Sequence, residues 1–237
     1  MKKLGLTLVS LLSLVGCAGP EDVNSDGVSV EVQDQSGTRS QGLGCAAAGD
    51  GKTTLRFINQ CGVRVHFAGN GGMAGGEIAP NESACRNIGG NQEHMVSRRY
   101  WGWREGQDPG AEHYTLAEFG FNENFMGQAS FDWIDISQVD AHNLPMKIIP
   151  YKLGTNTVCP GQVRSCAKNL LDNCPESGKL KRDGKVIACV NHDRDNPNGA
   201  VSRFFDNQCP EAYSWSGDDS GSMAACQAED FDIVFCP

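Results

Sequence analysis

The 237-residue sequence has no apolar run long enough for a comfortable transmembrane helix, no tight Cys-x-x-Cys pair, no internal repeat and little sustained helical periodicity. The first absence argues against a spanning helix, since about 20 apolar residues are needed to cross a bilayer. The second, with five His scattered along the chain, argues against metal binding through Cys or His, so no metal and no other cofactor is expected. Basic charge is also scarce. Lys and Arg number 20 against 29 Asp and Glu, a net charge of −9, which becomes −11 without Lys2 and Lys3. An acidic body disfavours nucleic acid and adsorption to anionic membranes, and suits neutral glycans or cationic ligands.

Glycine is plentiful instead, at 29 residues, and with weak helical signals this points to β-structure rich in turns. Eleven Cys indicate an oxidising compartment. The start of the chain suggests the route there. Lys2 and Lys3 form a basic n-region, and Leu4 to Val15 is an apolar stretch of twelve residues. It runs into Leu14-Val15-Gly16-Cys17, which resembles a bacterial lipobox. Residues 1–16 are therefore expected to be a lipoprotein signal peptide and Cys17 the lipidated anchor, in the bacterial cell envelope at the outer membrane or cell surface. The alternative is an ordinary secretory signal in which Cys17 is incidental. With Cys17 set aside ten Cys remain, an even number that five disulfides would use up.

Residues 17–51 are expected to form a flexible tether, because Ala18 to about Gly44 lacks aromatic residues and cannot bury enough apolar area to offset ordering. Order is expected near Thr53. Leu55 and Phe57 alternate with Thr54 and Arg56, and Val63, Val65 and Phe67 alternate with Arg64 and His66, predicting a hairpin with one buried face. Ala68 to Gly90 reads as loop. Ser97 to Arg104 alternates Arg with aromatic residues, either a sheet strand or a sugar-stacking platform. Phe131 to Ser137 places Phe131, Trp133 and Asp135 on one strand face. The spacing of Val163, Cys166, Ala167 and Leu170 predicts a short helix over 161–172. Asp193 to Gly199 reads as a turn.

Six ordered strings resemble the thaumatin-like family: Phe57-Ile58-Asn59-Gln60-Cys61, Thr115-Leu116-Ala117-Glu118-Phe119, Asp132-Trp133-Ile134-Asp135-Ile136-Ser137, Asp140-Ala141-His142-Asn143-Leu144-Pro145-Met146, Ser202-Arg203-Phe204-Phe205 followed by Cys209-Pro210-Glu211-Ala212-Tyr213-Ser214, and Val234-Phe235-Cys236-Pro237. The resemblance spans roughly residues 52–237. It implies an all-β, eleven-stranded flattened sandwich, here residues 52–155 and 203–237, beside a disulfide-rich loop and short-helix subdomain at 156–202. It also implies the pairs Cys61–Cys236, Cys159–Cys226, Cys166–Cys209 and Cys174–Cys189, with Cys45 and Cys85 left for each other.

The family's acidic cleft maps onto Glu118, Asp135, Asp140 and Asp218. Its Arg falls on Arg104 or Arg99, because the family's Trp-Gly-Arg string reads Trp101-Gly102-Trp103. The resemblance implies a glycan ligand of β-1,3-glucan type, with Trp103 able to stack on a pyranose face and with weak or no hydrolysis. One alternative is an endo-β-1,3-glucanase with Glu118 as acid and Asp135 or Asp140 as base or nucleophile. A second is a surface protein with an idle cleft, or one that docks a cationic peptide. The chain is expected to act as a monomer.

Overall fold

The computed structural model describes Cys45 and residues 47–110, 112–123 and 131–237. The expected signal peptide, Cys17 and the expected tether up to residue 44 lie outside the described residues. The strands are β1 (Lys52–Asn59), β2 (Val65–Gly69), β3 (Gly76–Ile78), β4 (Ser83–Gly90), β5 (Met95–Arg104), β6 (Leu116–Glu123), β7 (Phe131–Ser137), β8 (Ala141–His142), β9 (Met146–Lys152), β10 (Arg164–Cys166), β11 (Lys179–Arg182), β12 (Lys185–Val190), β13 (Ala224–Cys226) and β14 (Ala228–Phe235). One sheet has the order β10-β9-β14-β1-β4 and another β13-β7-β6-β5-β2-β3, so together they hold the eleven strands that the resemblance implies. In a small sheet, β11-β12-β8, Cys189 of β12 is bonded to Cys174, which precedes β11.

The two large sheets face each other across a core of aromatic rings. Phe57 on β1 stacks on Phe67 of β2 at 4.4 Å, and Phe119 of β6 meets Phe231 of β14 edge-on at 5.2 Å. Each buried ring contributes about 2–3 kcal/mol. Cys61–Cys236 closes this sandwich where β1 and β14 run parallel, Asn59 opposite Phe235. The other pairs are Cys45–Cys85, Cys159–Cys226, Cys166–Cys209 and Cys174–Cys189.

Four local expectations are corrected. First, β1 and β2 are not a hairpin: β1 pairs with β4 and β14, while β2 pairs with β3 and β5 in the other sheet. The Asn59 side chain fixes this corner, donating to Val63 O and Ile78 O and accepting from Cys61 N. Nor does β1 have a polar outer face, for Arg56 is buried and bonded to Asp232, which Tyr151 also reaches at 2.7 Å. Second, 68–90 contains β3 and β4; β4, poor in strand formers, is held by pairing with β1 and by Cys45–Cys85. Third, 161–172 forms no helix. Arg164 to Cys166 add to the edge of β9, and Arg164 donates to Ser222 O and Met223 O, so tertiary pairing overrides the helical spacing. Fourth, ordered structure begins before Thr53: Glu229 accepts from the backbone N–H of Gly49 and Gly51. A helix that no sequence expectation covered, α1 (Ala200–Gln208), follows the 193–199 turn, buries Val201 and Phe205, and crosses the boundary drawn at 203.

Candidate functional site

Strand parity builds the site. On β5, Tyr100 and Gly102 point into the core, so Arg99, Trp101 and Trp103 share the outer face. The antiparallel register then sets Arg99 opposite Glu118 on β6, and Glu118 opposite Asp135 on β7. The intervening Ala117, Phe119, Ile134 and Ile136 go to the core, which leaves the charged row on the outside. Arg99 Nε lies 2.8 Å from Glu118 Oε1.

A cleft of about 410 Å³ opens over this row, lined by Arg99, Glu118, Asp135, Trp133 and Met223 among others. On the other side of Arg99 a second hollow of about 260 Å³ is walled by Trp101, Tyr114, Leu116 and Asp140. Burial pushes the Asp135 carboxyl well above the usual range, and the neighbouring Glu118 adds to this. Arg99 and Arg164 oppose the shift without cancelling it. Asp135 Oδ1 is buried without a hydrogen-bond partner.

The remaining expected residues are dispersed. Asp140 sits in the second hollow, its Oδ1 2.9 Å from Arg194 Nη1. Asp218 accepts from Ser214 N and Oγ at 3.0 and 2.9 Å, so it holds a turn. Its neighbour Asp219 takes the Tyr213 hydroxyl at 2.9 Å. Burial first, then Asp219 and Asp135, raise the Tyr213 phenol above its ordinary value. Tyr213 thus stands within electrostatic reach of both.

Two expectations fail on geometry. Arg104 points away from the row, toward Cys236 Sγ, Asp172 and the buried His142, whose imidazole is held neutral at about 3 by burial and then by Arg104. Arg99 is therefore the arginine of the cleft. Trp103 stacks on His66 at 5.5 Å, tilts against Tyr114 at 5.8 Å and lines neither hollow, whereas Trp101 and Trp133 do. Parity along β5 carried the signal for Arg99 and Trp101. No local signal marked Arg194, which arrives from the 193–199 turn.

Among the described residues no group of three or more His, Cys, Asp or Glu converges to hold a metal, and no helix is long and apolar enough to cross a membrane. What the row offers is one fixed cation, one carboxylate paired to it and one buried carboxyl, flanked by aromatic walls. Such a set presents donors and acceptors to hydroxyl groups and apolar faces to C–H surfaces.

Comparison with known proteins places the sequence among relatives. The model of the Thaumatin family matches residues 104–195 and 192–237. Pathogenesis-related thaumatin-like protein 3.6 of Cryptomeria japonica is 37% identical over 131 residues, 52% of this chain and 50% of that protein. Pathogenesis-related 5 protein Cup a 3 of Hesperocyparis arizonica is 30% identical over 212 residues, 76% of this chain and 97% of that one. A protein elicitor from Magnaporthe oryzae, known as a crystal structure, aligns over 78% of this chain and 99% of its own at 10% identity and a TM-score of 0.37. With the family model covering more than half of its length, the chain belongs to the thaumatin family.

Proposed function

We propose that this is an exported glycan-binding protein whose cleft takes a neutral glucan of β-1,3 type, held in the cell envelope by a lipid on Cys17. The observation that carries the ligand class is the Arg99–Glu118–Asp135 row on three adjacent strands, between the indoles of Trp101 and Trp133. Sugars present hydroxyl groups at their rims and C–H patches on their faces, and this surface matches both. The five disulfides suit an oxidising, extracytoplasmic setting.

One observation favours hydrolysis as a second reading. A carboxyl pushed upward by burial stands beside one paired with Arg99, and glycoside cleavage divides its labour between such a pair. Calorimetry with laminarin oligosaccharides and reducing-sugar release from laminarin separate the two. Binding without sugar release supports a lectin-like role, and release supports a glucanase. Glu118→Gln keeps side-chain volume but weakens the pairing with Arg99, so it is expected to weaken binding about tenfold with little change in thermal stability. Unchanged affinity in that variant would move the site elsewhere.

A further inference from the structure

The two carboxyl groups of the row are not equivalent in what they have to bond to. Glu118 is clamped by Arg99 at 2.8 Å. Asp135 lies directly across the next ladder from Glu118, lines the same cleft, and keeps Oδ1 buried without a partner. A buried acceptor left unpaired costs about 1–3 kcal/mol, and more when charged, so burial of this oxygen favours the neutral acid over the carboxylate. The groups facing it are Glu118 from β6, Arg99 from β5, Arg164 from β10, and Tyr213, whose hydroxyl is already donated to Asp219.

We propose that Asp135 is the O–H donor of the cleft and Glu118 its acceptor, so that the pair engages two neighbouring oxygens of a neutral saccharide. This deepens the glycan reading and rests on it. The alternative occupant, a cationic peptide, would instead favour Asp135 as a carboxylate, with the peptide's charge set against both acids of the row. The upward shift of Asp135, caused by burial and then by Glu118, supports the neutral form. The proposal also departs from the role expected for Glu118, because a carboxylate clamped by Arg99 is poorly placed to supply a proton.

Side-chain carboxyl carbon resonances of the intact, disulfide-bonded protein, assigned through backbone correlations, read the proton directly. The Asp135 resonance is expected to titrate well above the ordinary carboxylate range. Laminarihexaose affinity is expected to fall about tenfold between pH 5 and a pH above that titration, as the donor is lost. In Asp135→Asn the amide cannot titrate, and the ratio between the two pH values should collapse to about one. An Asp135 resonance that titrates in the ordinary carboxylate range, or affinity that strengthens as pH rises, overturns the proposal. A neutral Asp135 in a protein that binds no laminarihexaose at either pH refutes the glycan reading and the donor role, while locating the proton all the same.

Discussion

Asp132 offers a sharp test of how burial governs the carboxyls of β7. It lies one residue from Trp133 on the core side, 4% exposed, where the β6–β7 ladder shifts register between Gly120 and Glu123. Its Oδ1 accepts from Asn122 N at 3.0 Å and its Oδ2 from Ala228 N at 2.9 Å, joining the irregular end of β6 to the start of β14. Two opposed effects act on it. Burial raises its pKa, the two backbone N–H groups lower it, and the outcome is about 6 against an ordinary 3.8. Because the folded value is the higher one, the folded state binds more protons between about pH 4 and pH 6. The stabilisation is complete below about pH 4 and is lost as pH rises through about 6. Two pK units correspond to about 3 kcal/mol.

Asn keeps one acceptor and turns an N–H donor toward the other backbone N–H, so it loses one of the two bonds, at about 1–3 kcal/mol, but it cannot titrate. Asp132→Asn should therefore be less stable than the wild type near pH 4, by a gap that narrows by up to about 3 kcal/mol as pH rises to 7 and the wild type loses its proton-linked stabilisation. Urea unfolding at pH 4, 5, 6 and 7 with disulfides intact reads the difference between the two proteins, so slopes due to other carboxyls cancel. A gap that stays constant or widens as pH rises would refute the reasoning. It would mean that the bonds from Asn122 and Ala228 hold Asp132 as a carboxylate despite its burial.

Two further outcomes follow from the placement of the arginines and of the first cysteine. Arg99→Ala should abolish most laminarin binding while changing stability by under about 1 kcal/mol, since its pairing with Glu118 is partly exposed; Arg104→Ala should leave binding intact, and the reverse pattern in calorimetry would return Arg104 to the site. Cys17→Ser should release the protein from the membrane fraction or block its processing, and unchanged detergent partitioning of that variant would exclude the lipid anchor.

The parts of the fold that were legible in the sequence are those written in short-range order. The alternation of Phe131 to Ser137 places Asp135 beside Trp133 on one face, and the structure keeps it there. What stayed hidden depends on partners distant in sequence. Thr54 and Arg56 look like a solvent face until β14 brings Asp232 alongside β1, 176 residues away. The helical spacing over 161–172 is genuine as a pattern, but the edge of β9 and the Cys166–Cys209 disulfide bind that segment instead. In α1 the i, i+4 pair of Val201 and Phe205 carried a helical signal, in a segment short enough to escape it. The choice between Arg99 and Arg104 turned on parity alone, since residues five apart on one strand face opposite sides.

The same packing that hides these partners makes the cleft rigid. A Cβ at Gly102 would stand 2.8 Å from the Phe235 ring and 3.0 Å from His66 O, so only glycine lets β5 lie this close over β14. Phe235 is in turn fixed by its neighbour Cys236, bonded to Cys61. Arg99 and Trp101, three residues and one residue before Gly102, inherit that position, and Glu118 and Asp135 inherit it through the ladders. Carboxyl groups on flexible loops relieve mutual repulsion by turning toward water. Carboxyl groups on adjacent central strands above a packed aromatic core cannot, and the remaining ways to relieve the repulsion are a cation or a proton. Arg99 serves Glu118 as the cation, which leaves the proton to Asp135.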